Sequence, residues 1–449
     1  MSEWKKVKIG DFLTESKIIA EESDANHRIT VRLNCKGVEK RSLKAEKEGA
    51  TKYYERKAGQ FIYGKQNIHK GAFGVIPKEL DGFTSSADLP AFDIDKSKCI
   101  PEWLCLCLKV DERYKTLQKD VKGVGSQRLA VNIFLNVEIP LPNLMEQKRI
   151  VSEISEKLEN IQQLSEEVEK QKGYAKQLRA NILQDAIEGK LTANWREKHP
   201  VKKGDSDYDA DALFEKIQIE KQEKGKKQKS FPVVTEDEKP FAIPSGWKWV
   251  RLGEICFNIE GGKSILCKEI VPNKNEIGIV KTGVCSFGYF KEEECKTCLS
   301  PKDWHDEYAI HKGDFLIGRA NTLELVGSCV IVDKIERKLM LSDKILRINF
   351  DEMICSDFIL CAMKSKYVRE QIERSATGSS PTMKNISQES IKNYSLPLPP
   401  LAEQKEIVAR VEKHLQTITQ LEIQIATRET TTKQLMQSIQ KNAFEKKMN

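Results

Sequence analysis

Val151, Ile154, Leu158, Ile161 and Val168 are separated by three, four, three and seven residues. That spacing places apolar side chains at a and d of a heptad, along one stripe of a helix. Ala175 and Ile182 extend the stripe; Ser165, Lys172 and Arg179 interrupt it. The same register returns 257 residues later in Val408, Val411, Leu415, Ile418 and Ile425. The repetition goes beyond the apolar positions. PLPNLMEQKRIV (140–151) returns as PLPPLAEQKEIV (397–408), and residues 140–191 match 397–448 at 20 of 52 positions without a gap. A gapless match of that length is one structural unit used twice. Asn143 followed by Glu146 has the form of a capping box, and Pro400 suits a first helical position. Gly189 is placed to end the first helix in the left-handed conformation. Each copy therefore predicts a rod of roughly 65 Å at 1.5 Å per residue. One apolar seam on each rod makes the other rod its natural partner.

The segments ahead of the rods show a second, looser repetition. WKKVKIGDF (4–12) is echoed by WKWVRLGEI (247–255), a shift of 243. Gly59-x-Phe61-x-x-Gly64-Lys65-x-Asn67 returns as Gly313-x-Phe315-x-x-Gly318-Arg319-x-Asn321, a shift of 254. Short apolar runs at 59–64 and 71–77 read as strands, and residues 102–121 read as a helix with a counterpart at 357–375. Gly125-Ser126 corresponds to Gly378-Ser379. Because the shift drifts only outside the rods, insertions belong to the globular parts. The expected organisation is α+β. Two mixed α/β domains, 1–139 and 244–396, are separated by two long helices, 140–191 and 397–449, pairing as an antiparallel coiled coil with pseudo-twofold duplication. A charged connector, 192–243, joins the halves. In it Asp209–Lys224 reads as a solvated helix, and Pro232, Pro240 and Pro244 mark the boundary.

Composition narrows the class. Of 449 residues, 39% are hydrophobic and 31% charged, and no uncharged apolar run nears the roughly 18 residues of a membrane span. The start, MSEWKKVKIGDF, has no apolar signal-peptide core. Twelve scattered cysteines, mostly in apolar runs, read as buried thiols in a cytoplasmic protein. Net charge is +7, and residues 1–139 hold 25 basic against 20 acidic side chains. That balance permits a basic groove rather than a polycation.

Catalytic signatures are missing. Gly261-Gly262-Lys263-Ser264 resembles the end of a P-loop, but Phe257 stands where the first glycine belongs, so it reads as a loop after a strand. Cys295-x-x-Cys298 with His305 and His311 has too short a gap for a zinc finger. What remains fits binding. Lys65 and Arg319 each follow a glycine at a strand exit and precede Asn67 and Asn321 by two. Lys or Arg can reach guanine O6/N7, and Asn can pair with adenine in the major groove. The turns Gly125-Ser126-Gln127-Arg128 and Gly378-Ser379-Ser380 offer N–H groups and hydroxyls that suit phosphates. The same residues also read as solvated surface charges and as helix caps followed by turns.

The twice-used PLPxLxEQKxIV start, the W-x-x-V-[KR]-[IL]-G-[DE] opening of each half and Gly-Asp-Phe-Leu-Ile-Gly-Arg (313–319) resemble one family. It is the specificity subunit of bacterial type I restriction–modification systems, and the resemblance covers essentially the whole chain. It implies a non-catalytic, double-stranded-DNA-binding subunit whose two target-recognition domains each read half of a split, asymmetric site. It further implies that the paired helices set the gap and dock two methyltransferase (modification) subunits, and that restriction (translocase/nuclease) subunits join the complex. No cofactor is implied in this chain; S-adenosylmethionine and ATP/Mg belong to the partners. The recognition domains are the variable part of the family, so no base-contact residue carries over, and Lys65 and Arg319 rest on the local reading alone. A coiled-coil scaffold whose globules bind protein, without sequence-specific DNA binding, is the alternative; steep salt dependence would exclude it. An enzyme with an unfamiliar site is the third class, and methyl transfer or cleavage by the isolated chain would identify it.

Overall fold

The computed structural model describes residues 4–21, 24–42, 52–121, 128–225, 230–380 and 382–445. The chain divides into two compact units, residues 1–170 with 425–449 and residues 171–424.

In the first unit an antiparallel sheet runs Leu13–Ser16, Ala91–Ile94, Phe61–Tyr63, Phe73–Val75. Phe61, Ile62 and Tyr63 are all fully buried, because both faces of their strand are covered. Phe61 and Tyr63 face a core with Phe73, Phe92, Trp103 and Phe134, whereas Ile62 packs with Ile29, Ile76 and Leu80. An unbroken apolar run is the sequence form of such a strand. Each such side chain contributes about 1.5–3 kcal/mol on burial.

The expected helix over 102–121 is broken. Pro101–Lys109 is helical, Glu112 takes a left-handed φ of 52°, and a short helix follows at Arg113–Thr116. The opening strand Lys6–Lys8 pairs with Glu138–Pro140, immediately before the first rod.

The second unit repeats the plan. Its main sheet runs Cys256–Gly261, Ile345–Phe350, Phe315–Gly318, Cys329–Ile331, the same order of equivalent strands. Lys248–Arg251 pairs with Ser395–Leu398 just before the second rod. A second sheet, Cys267–Lys268, Cys295–Cys298, Ile277–Val280, Lys338–Met340, is the main elaboration. The counterpart helix is likewise divided, into Ser356–Lys364 and Lys366–Ser375, where the Ser365 hydroxyl accepts from Val368 N–H. The connector helix, Ala210–Glu223, is less solvated than its charge pattern implies, since Ala210, Leu213 and Ile217 are fully buried.

The rods are continuous helices, Leu144–Ile187 and Leu401–Glu445. Asn143 Oδ1 accepts from Glu146 N–H at 3.0 Å, and Gly189 has φ 74° as a left-handed stop. Pro400 lies one position earlier than expected, as the cap whose carbonyl accepts from Gln404 N–H.

In the first unit Ile439, near the end of the second rod, packs against the core containing Ile150 and Ile154 from the start of the first. In the second unit Arg179, late in the first rod, pairs at 3.0 Å with Glu422. Arg410, early in the second rod, donates to the carbonyl of Leu191, just past the end of the first. Within the second unit the two segments therefore run in opposite directions. Along the heptad stripes Ile154, Ile161, Val168, Val411, Ile418 and Ile425 are buried, and Val151, Leu158, Val408 and Leu415 half-buried.

Candidate nucleic-acid interface

Each unit holds a cation at the same node of its backbone. Lys65 N–H donates to the Asp88 carbonyl at 2.9 Å, and the Lys65 carbonyl accepts from Leu129 N–H at 2.8 Å. Arg319 N–H donates to the Lys344 carbonyl at 2.9 Å, and its carbonyl accepts from Ile386 N–H at 2.9 Å. The preceding glycines also correspond, Gly64 bonding to Ala72 and Gly318 to Ser328. Segments on either side thus fix the backbone of each cation. Both residues are half-buried, so each side chain starts from a backbone held on both sides.

In the first unit this node recruits Arg128. Its guanidinium grips Asp88 through Nε at 2.8 Å and Nη2 at 3.0 Å. That hydrogen bond holds the Asp88 carboxyl below its ordinary range, with Lys65 adding in the same direction. Arg128 is correspondingly pushed above its usual value by the same bond. Asp88 therefore orients Arg128 while offsetting part of the positive charge, and a phosphate at Arg128 would compete with it. Asn67 shapes the turn: its carbonyl accepts from Lys70 and Ala72 N–H. Gly125, Ser126 and Gln127 lie outside the described residues.

In the second unit Ala320–Asn321 pairs with Lys384–Asn385, and Thr377 bridges to Asn385. The Lys384–Asn385 strand thus lies between Ala320–Asn321 and Thr377, and Gly378, Ser379 and Ser380 follow Thr377 on its other side, all three exposed. Gly378 is required there: its φ is 123°, and a Cβ would meet the Met383 carbonyl at 2.6 Å. Lys384 Nζ donates to the Gly378 carbonyl at 2.6 Å and holds the turn. Asn321 is already engaged, accepting from Thr322 N–H at 2.8 Å and donating to Ser286 Oγ at 3.3 Å. A bidentate adenine contact would require it to release both. A cavity of about 300 Å³ adjoins this region, lined by Lys263, Lys281, Lys296 and Lys344 with Ser264, Thr282 and Glu269 among others.

The motifs set aside resolve into structure. Gly262 lies in the loop after the strand Cys256–Gly261, where a Cβ would meet the Leu341 carbonyl at 1.9 Å. Cys295 and Cys298, three apart on one strand, fall on opposite faces and enter different apolar clusters. Among the described residues no group of three His, Cys, Asp or Glu is placed to hold a metal ion, and no helix is long and apolar enough to cross a membrane.

Two glutamines that the composition gave no reason to single out anchor each rod to its globule. Gln147, fully buried, donates to the carbonyls of Pro142 and Lys98 and accepts from Ile100 N–H at 3.0 Å. Gln404, also fully buried, donates to the Pro399 carbonyl and accepts from Cys355 N–H at 3.0 Å. Ile100 and Cys355 are the N-caps of equivalent helices. The available signal was the identity of these residues in both copies. Asp88, which has no such marker, was not legible at all.

Two sheet-and-helix globules on one plan, each opening onto a long helix, define a duplicated two-domain architecture. The model of the type I restriction modification DNA specificity domain matches residues 1–171 and 244–428, and the chain belongs to that family. It is similar to the type I restriction enzyme EcoEI specificity subunit of Escherichia coli, at 34% identity over 57% of this chain and 42% of that protein. It is also similar to the EcoAI specificity subunit of Escherichia coli, at 28% identity over 59% of this chain and 43% of that one. The aligned stretch thus spans less than half the length of these two relatives. A solved chain, described in terms of complex assembly and conformational transition of the type I R-M system, shares the fold. Its TM-score is 0.64 at 18% identity, covering 100% of this chain and 99% of that one.

Proposed function

We propose that this chain is the DNA target-recognition subunit of a type I restriction–modification complex. Each globule reads one half of a split, asymmetric site in double-stranded DNA, and the rods set the gap between halves. The observation that carries this reading is the matched node: Lys65 and Arg319 leave equivalent backbone positions in two units that otherwise differ by insertions. Internal duplication with divergent surroundings is what two different half-sites demand of one fold. Bases are read by groove contacts, while the exposed Gly378–Ser380 turn supplies N–H groups and hydroxyls for phosphate.

The rods also support a docking role. Leu164 and Leu178 are exposed, as are Leu421 and Leu435. These are the same positions in the two copies, identical in residue yet outside the seam. Two equivalent apolar positions per rod suit two methyltransferase subunits bound in equivalent ways, with restriction subunits joining the complex. The methyl donor S-adenosylmethionine and ATP/Mg would then sit on those partners, the chain itself contributing recognition rather than chemistry. Mapping methylated adenines across the genome with and without this gene tests the proposal. Loss of one bipartite class of methylated sites is expected; an unchanged map, or DNA binding insensitive to salt, returns the chain to the protein-scaffold reading.

A further inference from the structure

Cys267 and Cys298 stand directly opposite each other on an antiparallel strand pair, their sulfurs in contact at 3.9 Å. Among the described residues no other two cysteine sulfurs make such a contact. We propose that they are a modification site: a thiol pair that closes to a reversible disulfide when a small disulfide oxidant is present.

Three features of the fold support this. First, cross-strand neighbours bring their Cβ atoms close to the separation a disulfide needs, so the bond requires side-chain rotation and a small strand shift. Second, Cys267 lies on a two-residue strand at the sheet edge, paired on one side only and free to make that shift. Third, the pair is unequal. Cys267 is half-buried and has Lys296 nearby, whereas Cys298 is buried against Ile279 and Met340. Burial raises both thiols, Cys298 to about 12. Cys267 is thus the thiol that meets solvent first.

The chemistry balances as thiol–disulfide exchange. The Cys267 thiolate attacks a small disulfide RSSR, forming a mixed Sγ–SR bond and releasing RS⁻. Cys298 then gives up its proton and attacks Cys267 Sγ, expelling the second RS⁻. The two cysteines lose two electrons and two protons in all, and RSSR becomes two RSH. The closed bond would lock the edge strand Cys267–Lys268, which follows Ser264 and Ile265 of the lysine-lined cavity, onto the strand Cys295–Cys298.

The test is direct. The full chain is incubated with glutathione disulfide, its remaining thiols are blocked with N-ethylmaleimide, and it is digested with trypsin. Cys267 and Cys298 fall on separate peptides, residues 264–268 and 297–302, and Cys295 on a third. Mass spectrometry should find 264–268 linked to 297–302 at least about tenfold above any other cysteine pair, because exchange follows proximity and access. Dithiothreitol should reverse it, and Cys267→Ser should abolish it while Cys298 becomes fully blocked. Three outcomes overturn the proposal: both thiols fully alkylated, a glutathione adduct on Cys267 that never resolves onto Cys298, or equal linkage to a third cysteine. The wild-type digest alone decides among them.

Discussion

The indole N–H of Trp247 donates to the carboxylate of Glu403 at 2.7 Å. These residues belong to the two motifs that recur in the chain, the opening W-x-x-V and the rod start PLPxLxEQK. Their contact closes the second globule on its rod. Glu403 is only 2% exposed and also accepts from Thr192 Oγ1 at 2.6 Å and from the Arg196 guanidinium. Four groups, three of them donors, form one buried cluster.

Removing that carboxylate leaves the Trp247 and Thr192 donors without their acceptor, while Arg196 keeps Thr192 Oγ1 and the Gly189 carbonyl. Glu403→Ala is expected to destabilise the second unit by about 3 kcal/mol, the scale for breaking a buried, hydrogen-bonded ion pair. Urea unfolding of the variant checks the loss.

Seam and exposed leucines should separate cleanly. Ile418→Asp buries an unpaired charge at a position 1% exposed and should cost several kcal/mol. Leu158→Asp, at a half-buried seam position, should cost less. Leu164→Asp and Leu421→Asp should leave the melting temperature within about 2 °C, since surface changes stay within about 0.5 kcal/mol, yet weaken capture of methyltransferase subunits in a pull-down.

Lys65→Ala and Arg319→Ala should each weaken binding to the mapped DNA site. Each should lose about 1–3 kcal/mol if the cation reads a base. If it contacts a phosphate, the loss should be uniform across sequences and the salt slope should fall by about one. Titrations at two salt concentrations distinguish these, and two unchanged affinities would remove the nodes from the DNA surface.

Acid should weaken the second unit through Glu238. Its hydrogen bond from the nearly buried Arg251 lowers its pKa to about 2, from an ordinary 4.5. A group whose folded pKa is depressed stabilises the fold above its unfolded value and loses that contribution as pH falls. The loss is therefore expected between about pH 4.5 and pH 2, and Glu238→Gln should flatten that part of the stability profile. With Glu238 39% exposed, solvent screening limits the effect to about 1 kcal/mol.

The sequence by itself determined the rods, their pairing stripe and the duplication, because heptad spacing and a gapless repeat are local and additive. It also placed Lys65 and Arg319 as equivalents, since a shared G-x-F-x-x-G frame marks them. Only the tertiary structure decided what those residues meet. The Asp88 grip on Arg128 joins positions 40 apart, and Asn321 is drawn into bonds with Thr322 and Ser286. The burial of Leu213 and Ile217 was likewise invisible along a charged connector. The reason is physical. Periodicity reports which face of an element is apolar, but a hydrogen-bond partner is set by where the chain returns in space, and loops of unequal length leave no periodic trace of that return.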